Sequence, residues 1–146
     1  MAERIEFYRA GDDYGEFSNF SRHPIDLGGH TWPTTEHYFQ AMKFEDPALR
    51  ERIRNAPSPG EAARMGRRLP GLRDDWEAVK EDVMMDALRA KFTQHDKCRR
   101  RLLQTGDAQL VEHTRNDVYW ADGGDGRGKN RLGALLMQLR DELRDR

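Results

Sequence analysis

Apolar side chains recur every three or four residues over most of this chain and alternate at two almost nowhere. Each such stripe has to be buried against another element, so the period narrows the fold to packed helices. The clearest stripe is Leu132, Leu135, Leu136, Leu139 and Leu143. The longest starts near Asp75 and runs through Trp76, Val79, Val83, Met84, Ala87, Leu88 and Phe92. It predicts an amphipathic helix of about five turns.

Local signals bound the other elements. Thr34 can cap a helix with Glu36 in its first turn, running through Tyr38, Phe39, Met42 and Phe44 until Asp46-Pro47. A second helix is predicted over residues 48–55 and a third over 59–67, where Ser58 and Glu61 form a capping box and Pro59 takes the first helical position. Another covers 96–104 with Asp96 as its cap, and Asn130 can cap the last. Residues 4–8 suit a short strand, and 24–32 a hairpin around Gly28-Gly29, a pair that tolerates positive dihedrals. Residues 110–113 can be extended. The alternation of strands and helices that a parallel α/β sheet needs is missing. The expected fold is therefore mainly α, a compact single domain over residues 1–146 with a few short N-terminal β-strands.

Composition excludes several classes. Charged residues (35%) nearly equal hydrophobic ones (36%), and the formal net charge is −1. This does not suit a strongly basic nucleic-acid binder. Twenty Arg stand against five Lys, and Arg carries a planar fork of donors that fits phosphates and carboxylates. Cys98 is the one cysteine, so an internal disulfide framework and a cysteine-rich zinc site are excluded and a reducing compartment is suited. The three arginines after it could activate its thiol, but no motif partner stands nearby. The first ten residues carry charges where a signal peptide has its apolar core, and no apolar run approaches the roughly 20 residues of a membrane span. A cytoplasmic protein without a membrane partner is expected.

Five segments can carry chemistry. Phe17, Ser18, Asn19 and Phe20 set two polar side chains between two rings, a loop able to stack a base and bond its edge. In 35–43, Glu36, Gln40 and Lys43 share one helical face beside His37, while Tyr38, Phe39, Met42 and Phe44 leave few positions for water. A Glu and a Lys on so buried a helix need partners, and perturbed pairs of this kind mark sites. Lys80 and Lys91 flank the Trp76 stripe, either as snorkelling stems or as cations for phosphate. Glu112, Asp117 and Trp120 place two carboxylates and an aromatic platform within nine residues. Finally, residues 122–130 form a glycine-rich loop, including Gly126, that enters the last helix, where free amides and the helix dipole favour an anion. It matches neither nucleotide-loop pattern, and Asp122 and Asp125 lack the spacing of a calcium loop. The five histidines show no metal-binding spacing, so no metal and no cofactor are expected.

Six motifs then stand in order: F-S-N-F (17–20), T-E-H-Y-F-Q-x-x-K (35–43), W-x-x-x-K-x-x-V-M (76–84), K-F-x-Q (91–94), V-E-x-x-x-x-D-x-x-W (111–120) and D-G-G-D-G-x-G-x-N-x-L-G-x-x-L-M (122–137). Together they resemble the NADAR, or YbiA-like, N-glycosidase family over about residues 5–140. One departure is Ala121, where the family usually has Gly; a positive φ there would strain an alanine. The resemblance implies a compact helical fold and hydrolysis of an N-glycosidic bond between ribose and an exocyclic amine of a base. The implied substrates are phosphorylated ribosylamino-pyrimidines of riboflavin synthesis, or ADP-ribose on guanine, including guanine in nucleic acid. Glu36 and Lys43 are the implied acid–base and nucleophile, with direct water attack activated by Glu36 or Glu112 as the rival. Ser18, Asn19, Phe20, His37, Trp76, Lys80, Asp117 and Trp120 are implied to line the substrate, with Gly126 and Asn130 at its phosphate. Two other readings remain at this stage: a non-catalytic module for NAD- or ADP-ribose-like nucleotides, and a helical interaction protein that uses its arginines.

Overall fold

The computed structural model describes residues 3–145; residues 1, 2 and 146 of the expected domain lie outside them. The fold is mainly α, with six α-helices and four short strands among the described residues. The chain divides into two compact units. The middle unit is Arg22–Gln94; the split unit combines the segment up to Ser21 with the segment from His95.

In the middle unit, β2 (Ile25–Leu27) and β3 (His30–Trp32) form the expected hairpin. Gly28 and Gly29 make its turn at φ 63° and 83°, where a side chain is disfavoured. Thr34 caps α1 (Thr35–Ala41), its hydroxyl accepting from the His37 amide. The helix stops short of the predicted end. Met42, Lys43 and Phe44 close the tight turns Lys43 N–H to Gln40 C=O and Phe44 N–H to Ala41 C=O. Asp46 caps α2 (Pro47–Arg54), and Ser58 caps α3 (Pro59–Arg68). Only half of the expected capping box forms, because the Glu61 carboxylate pairs with Arg64.

The long helix α4 (Trp76–Gln94) is the expected helix of about five turns, with a wider buried face than its stripe predicts. Its second half buries Val83, Met84, Met85, Ala87, Leu88, Ala90, Lys91 and Phe92, while Asp82, Asp86, Arg89 and Thr93 keep one narrow polar stripe. Predicted stripe member Val79 is only half-buried. Lys91 is wholly buried, its ammonium 5.5 Å from the Phe92 ring centre, so it does not snorkel. Ile25, Trp32, Ala41, Phe44, Ile53 and Ala87 form the centre of this unit's core.

In the split unit, β1 (Arg4–Phe7) pairs with β4 (Gln109–Glu112), which lies far from the N-terminal strands in sequence. The pairing is parallel, with Arg4 opposite Gln109. A two-stranded parallel pair exists after all, closed over a long connection that local patterns do not reveal. Helix α5 (Asp96–Gln104) has the expected bounds but not the expected cap: Asp96 is its first helical residue, and His95 holds the N-cap position without a side-chain bond. Helix α6 (Arg131–Arg144) buries Leu132, Leu135, Leu136, Leu139 and Leu143 as expected. Arg140 is buried among them and donates to Thr105 Oγ1 (2.9 Å) and the Ala108 carbonyl (2.8 Å).

Asn130 corrects a second cap. It sits at φ 50° and makes no capping bond to α6. Its amide instead donates to the Leu110 carbonyl (2.9 Å) and accepts from the Glu112 amide (3.0 Å). It thus satisfies the free edge of β4 as a backbone strand would. Asn130→Ala leaves both groups unmatched and is expected to lower unfolding stability by about 1–3 kcal/mol, read from urea titration.

Candidate functional site

Helix α1 presents the most unusual environment. Glu36 and Gln40 are buried, at 9% and 6% exposure, and Gln40 Nε2 donates to Glu36 Oε2 at 2.6 Å. A buried carboxylate needs such a donor, because burial otherwise disfavours its charge. Lys43 is half-buried just beyond the helix. Burial pulls its pKa below the ordinary lysine range; Glu36 pulls it back up, and Arg67 again lowers it. Its Nζ stands 5.9 Å from the Phe39 ring centre. The Lys43 carbonyl accepts from the Arg73 amide at 2.8 Å, and Phe44 bridges Leu72. The lysine backbone is therefore held by a segment thirty residues on, for which no local sequence signal exists.

The neighbouring predicted residues have definite structural partners. His37 has both ring nitrogens engaged, with Thr34 Oγ1 at 2.8 Å and the Ala56 carbonyl at 3.0 Å. The carbonyl can only accept, so Nε2 carries the proton and Nδ1 accepts from the Thr34 hydroxyl. Burial lowers the His37 pKa, only partly countered by the Ala56 bond. Trp76 packs its ring against Phe39, centres 5.0 Å apart. The Lys80 ammonium contacts Glu77 at 2.6 Å. A cavity of about 210 Å³ beside Trp32, Tyr38, Met42 and Arg50 is lined by neither Glu36 nor Lys43.

The split unit holds the remaining predicted residues. Ser18 and Asn19 are buried, and Phe20 is 42% exposed. The Phe20 amide donates to Ser18 Oγ at 3.1 Å. The turn before them is braced by Arg101, which lies 4.0 Å from the Tyr14 ring centre and pairs with Asp13. Glu112 ends β4, half-buried. Asp117 Oδ1 accepts from the amides of Tyr119 and Trp120, both at 2.8 Å, and so shapes the turn that carries the half-buried Trp120 ring.

The entry to α6 differs from the expectation of free amides. Arg131 and Leu132 donate theirs to the carbonyls of Tyr119 and Trp120. Gly126, exposed at φ 84°, keeps an open backbone at the outer edge of the loop. Ala121 is buried and is not among the positive-φ residues, so alanine meets no strain there. Cys98 is buried, a packing residue away from reagents.

Sequence reasoning weighed Asp122 only as a calcium ligand and missed its structural role. It is buried and accepts from the Thr114 and Gly124 amides and from His113 Nδ1 (2.7 Å), with Arg4 3.5 Å away. Glu6, His113 and Asp122 bring three ligand-type atoms within 4.8 Å. The Arg4 guanidinium already supplies positive charge there, which disfavours a metal ion.

The NADAR domain family profile matches residues 6–144. The chain belongs to the NADAR family. It is 62% identical over 140 residues to the N-glycosidase YbiA of Escherichia coli, covering 95% of this chain and 88% of that protein. It is 43% identical to an N-glycosidase of Nostoc punctiforme, over 97% of this chain and 93% of that one. It is also 40% identical to a riboflavin biosynthesis protein of Vibrio vulnificus, covering 99% of this chain and 40% of that longer protein. The solution structure of E. coli YbiA superposes with a TM-score of 0.91 at 59% identity, over 99% of this chain and 88% of that one. No helix among the described residues is long and apolar enough to cross a membrane.

The His113–Asp122 pair gives a pH prediction. The Asp122 bond raises the His113 pKa. Burial pushes Asp122 up, but its bonds from His113, Gly124 and Thr114 together bring it below the usual range. The histidine contribution is full below its unfolded pKa and is lost as pH rises through its raised folded value. The aspartate contribution is full above its unfolded pKa and is lost as pH falls through its depressed folded value. The pair therefore stabilises most between about pH 4 and 6.5. The Tm difference between the parent chain and His113→Gln is expected to be largest in that window and to shrink on both sides.

Proposed function

We propose that this chain hydrolyses the N-glycosidic bond joining ribose to an exocyclic amine of a base, with Glu36 as acid–base group and Lys43 as nucleophile. The enzyme class, a hydrolase of N-glycosyl bonds, is the one its full-length relatives at 62% and 43% identity carry in their names. The observation that carries the mechanism is the buried Glu36 carboxylate, bonded by Gln40, in electrostatic reach of a lysine whose pKa burial depresses.

A glycosylamine differs from an ordinary glycoside in that its sugar ring can open. Glu36, protonated, gives its proton to the ring oxygen, and the C1′–O bond breaks to leave an iminium at C1′. Neutral Lys43 adds its electron pair to C1′. Glu36 takes the proton released from the lysine nitrogen and passes it to the base amine, which departs with the C–N electron pair. The resulting Schiff base between Lys43 and C1′ takes up water, releasing the free sugar and restoring the amine. A depressed lysine pKa raises the neutral fraction that this needs.

Of the two substrate classes, phosphorylated ribosylamino-pyrimidines are favoured by the riboflavin name carried by the Vibrio relative. ADP-ribosylated guanine, free or in nucleic acid, shares the same exocyclic linkage and is the alternative substrate. A cytoplasmic site of action belongs to the same reading.

Purified protein is to be incubated with each substrate and released base followed by mass spectrometry. Glu36→Gln is expected to lower turnover about 10²–10⁴-fold with binding retained; full activity in the folded variant removes Glu36 from the mechanism. Borohydride added during turnover is expected to leave one sugar on Lys43, absent in Lys43→Ala. Turnover without any adduct points to direct water attack. Binding of either ligand without release supports the nucleotide-binding module instead.

A further inference from the structure

Gln40 lies on α1 one turn after Glu36 and gives that carboxylate its 2.6 Å hydrogen bond. The other end of its amide is unusual. Gln40 Oε1 is buried and accepts no hydrogen bond. It lies instead against α3, over Gly66, where a Cβ would overlap Oε1 and also press on the amide carbon at 2.8 Å. The slot exists because residue 66 is glycine, at a helix-interior position where glycine is otherwise disfavoured.

A buried amide with only one bonded end is held in one orientation by that bond alone. Its NH₂ donates to a carboxylate, and its oxygen accepts from a carboxylic acid if the amide turns by half a revolution. A group that shuttles protons must be accommodated in both states, and a glutamine with no second anchor can serve both. We propose that Gln40 is a positioning residue for Glu36, its amide turning with the protonation state of that carboxyl in the slot left by Gly66. This rests on Glu36 being the acid–base group. Lys43 feels Glu36 and, from α3, Arg67, and the Arg73 guanidinium, paired with Asp75, reaches the Met42 carbonyl at 3.5 Å. His37 is disfavoured as a cation by burial, and α4 brings Trp76 against Phe39 with Lys80 bound by Glu77.

Two variants test it beside Glu36→Gln. Gln40→Met keeps volume but loses the hydrogen bond in both states. Gly66→Ala keeps the glutamine, suits the helix, and pushes the amide aside. Both are expected to lower kcat roughly 10- to 100-fold, since a misplacement of about 1 Å can cost about 10²-fold, with KM changing much less. In Gln40→Met the limb of the pH–rate profile set by Glu36 is expected to move to higher pH, because of the two bonds lost the one to the charged carboxylate is the stronger. Folding of each variant is checked by circular dichroism. Wild-type kcat and an unmoved profile in both variants, with Glu36→Gln inactive, overturn the proposal alone. If Glu36→Gln is fully active, it is the acid–base assignment that fails. Titration of the Glu36 carboxyl by carbon-13 NMR then tests the contact directly: an upward shift in Gln40→Met supports it, and an unchanged midpoint overturns it.

Discussion

Helix α1 buries Glu36, His37 and Gln40 within its seven residues, and each must find a partner away from water. An unmatched buried polar group costs about 1–3 kcal/mol, a large share of a domain's net stability. The solutions are specific. The Thr34 hydroxyl caps the helix and meets the His37 ring; that ring in turn ties α1 to the Ala56 carbonyl before α3. Gln40 serves Glu36, and Gly66 of α3 makes room for Gln40. The helix is thus placed by its polar groups as much as by Phe39 and Ala41, which are also buried.

The split unit solves a related problem with side chains that imitate backbone. β4 has one strand partner, β1, so its other edge is open. Asn130 bonds that edge from both ends of its amide, and Gly133 lets the Leu110 carbonyl approach α6. Asp122 gathers two loop amides and the His113 ring, while Asp117 turns the chain toward Trp120. Long loops usually move because their backbone groups face water. Here carboxylates and carbonyls collect those groups, so residues 117–130 are held by their own hydrogen bonds.

What was legible in the sequence is local chemistry. Thr34, Ser58 with Pro59, and Gly28-Gly29 each act on neighbours within about one turn, and each bounds an element where expected, while Asp46 with Pro47 starts α2 rather than ending α1. What was not legible is chemistry at a distance. The β1–β4 pairing joins segments about a hundred residues apart, and Asn130 chose a strand edge over its own helix end. Helix α4 shows the limit of periodicity: its stripe is correct, but the buried face is wider than the stripe and takes in Lys91, leaving one polar row through Asp82, Asp86, Arg89 and Thr93. At the site, Glu36 and Lys43 stood out as charges among apolar neighbours. Gln40 stands on the same face in the sequence, but its role does not show there, because a glutamine on a helix is ordinary until its surroundings are known. Gly66 carried still less signal, since a missing Cβ matters only against the atom that fills its place.

The same burial that makes α1 costly to fold is what sets its chemistry. Removing water from Lys43 disfavours its ammonium, while the nearby Glu36 charge favours it. Were the lysine far from the carboxylate, burial would lower its pKa unopposed and the pair would have no proton to exchange. Were it in a tight exposed ion pair, it would stay charged and could not attack carbon. In the mechanism we propose, an intermediate position, half-buried just past the helix end, is what lets a proton pass between the two. Binding a substrate that excludes the remaining water strengthens both effects at once, since each scales inversely with the local dielectric. Lys43 keeps that position because its backbone is held on both sides, its amide by the Gln40 carbonyl of α1 and its carbonyl by the Arg73 amide.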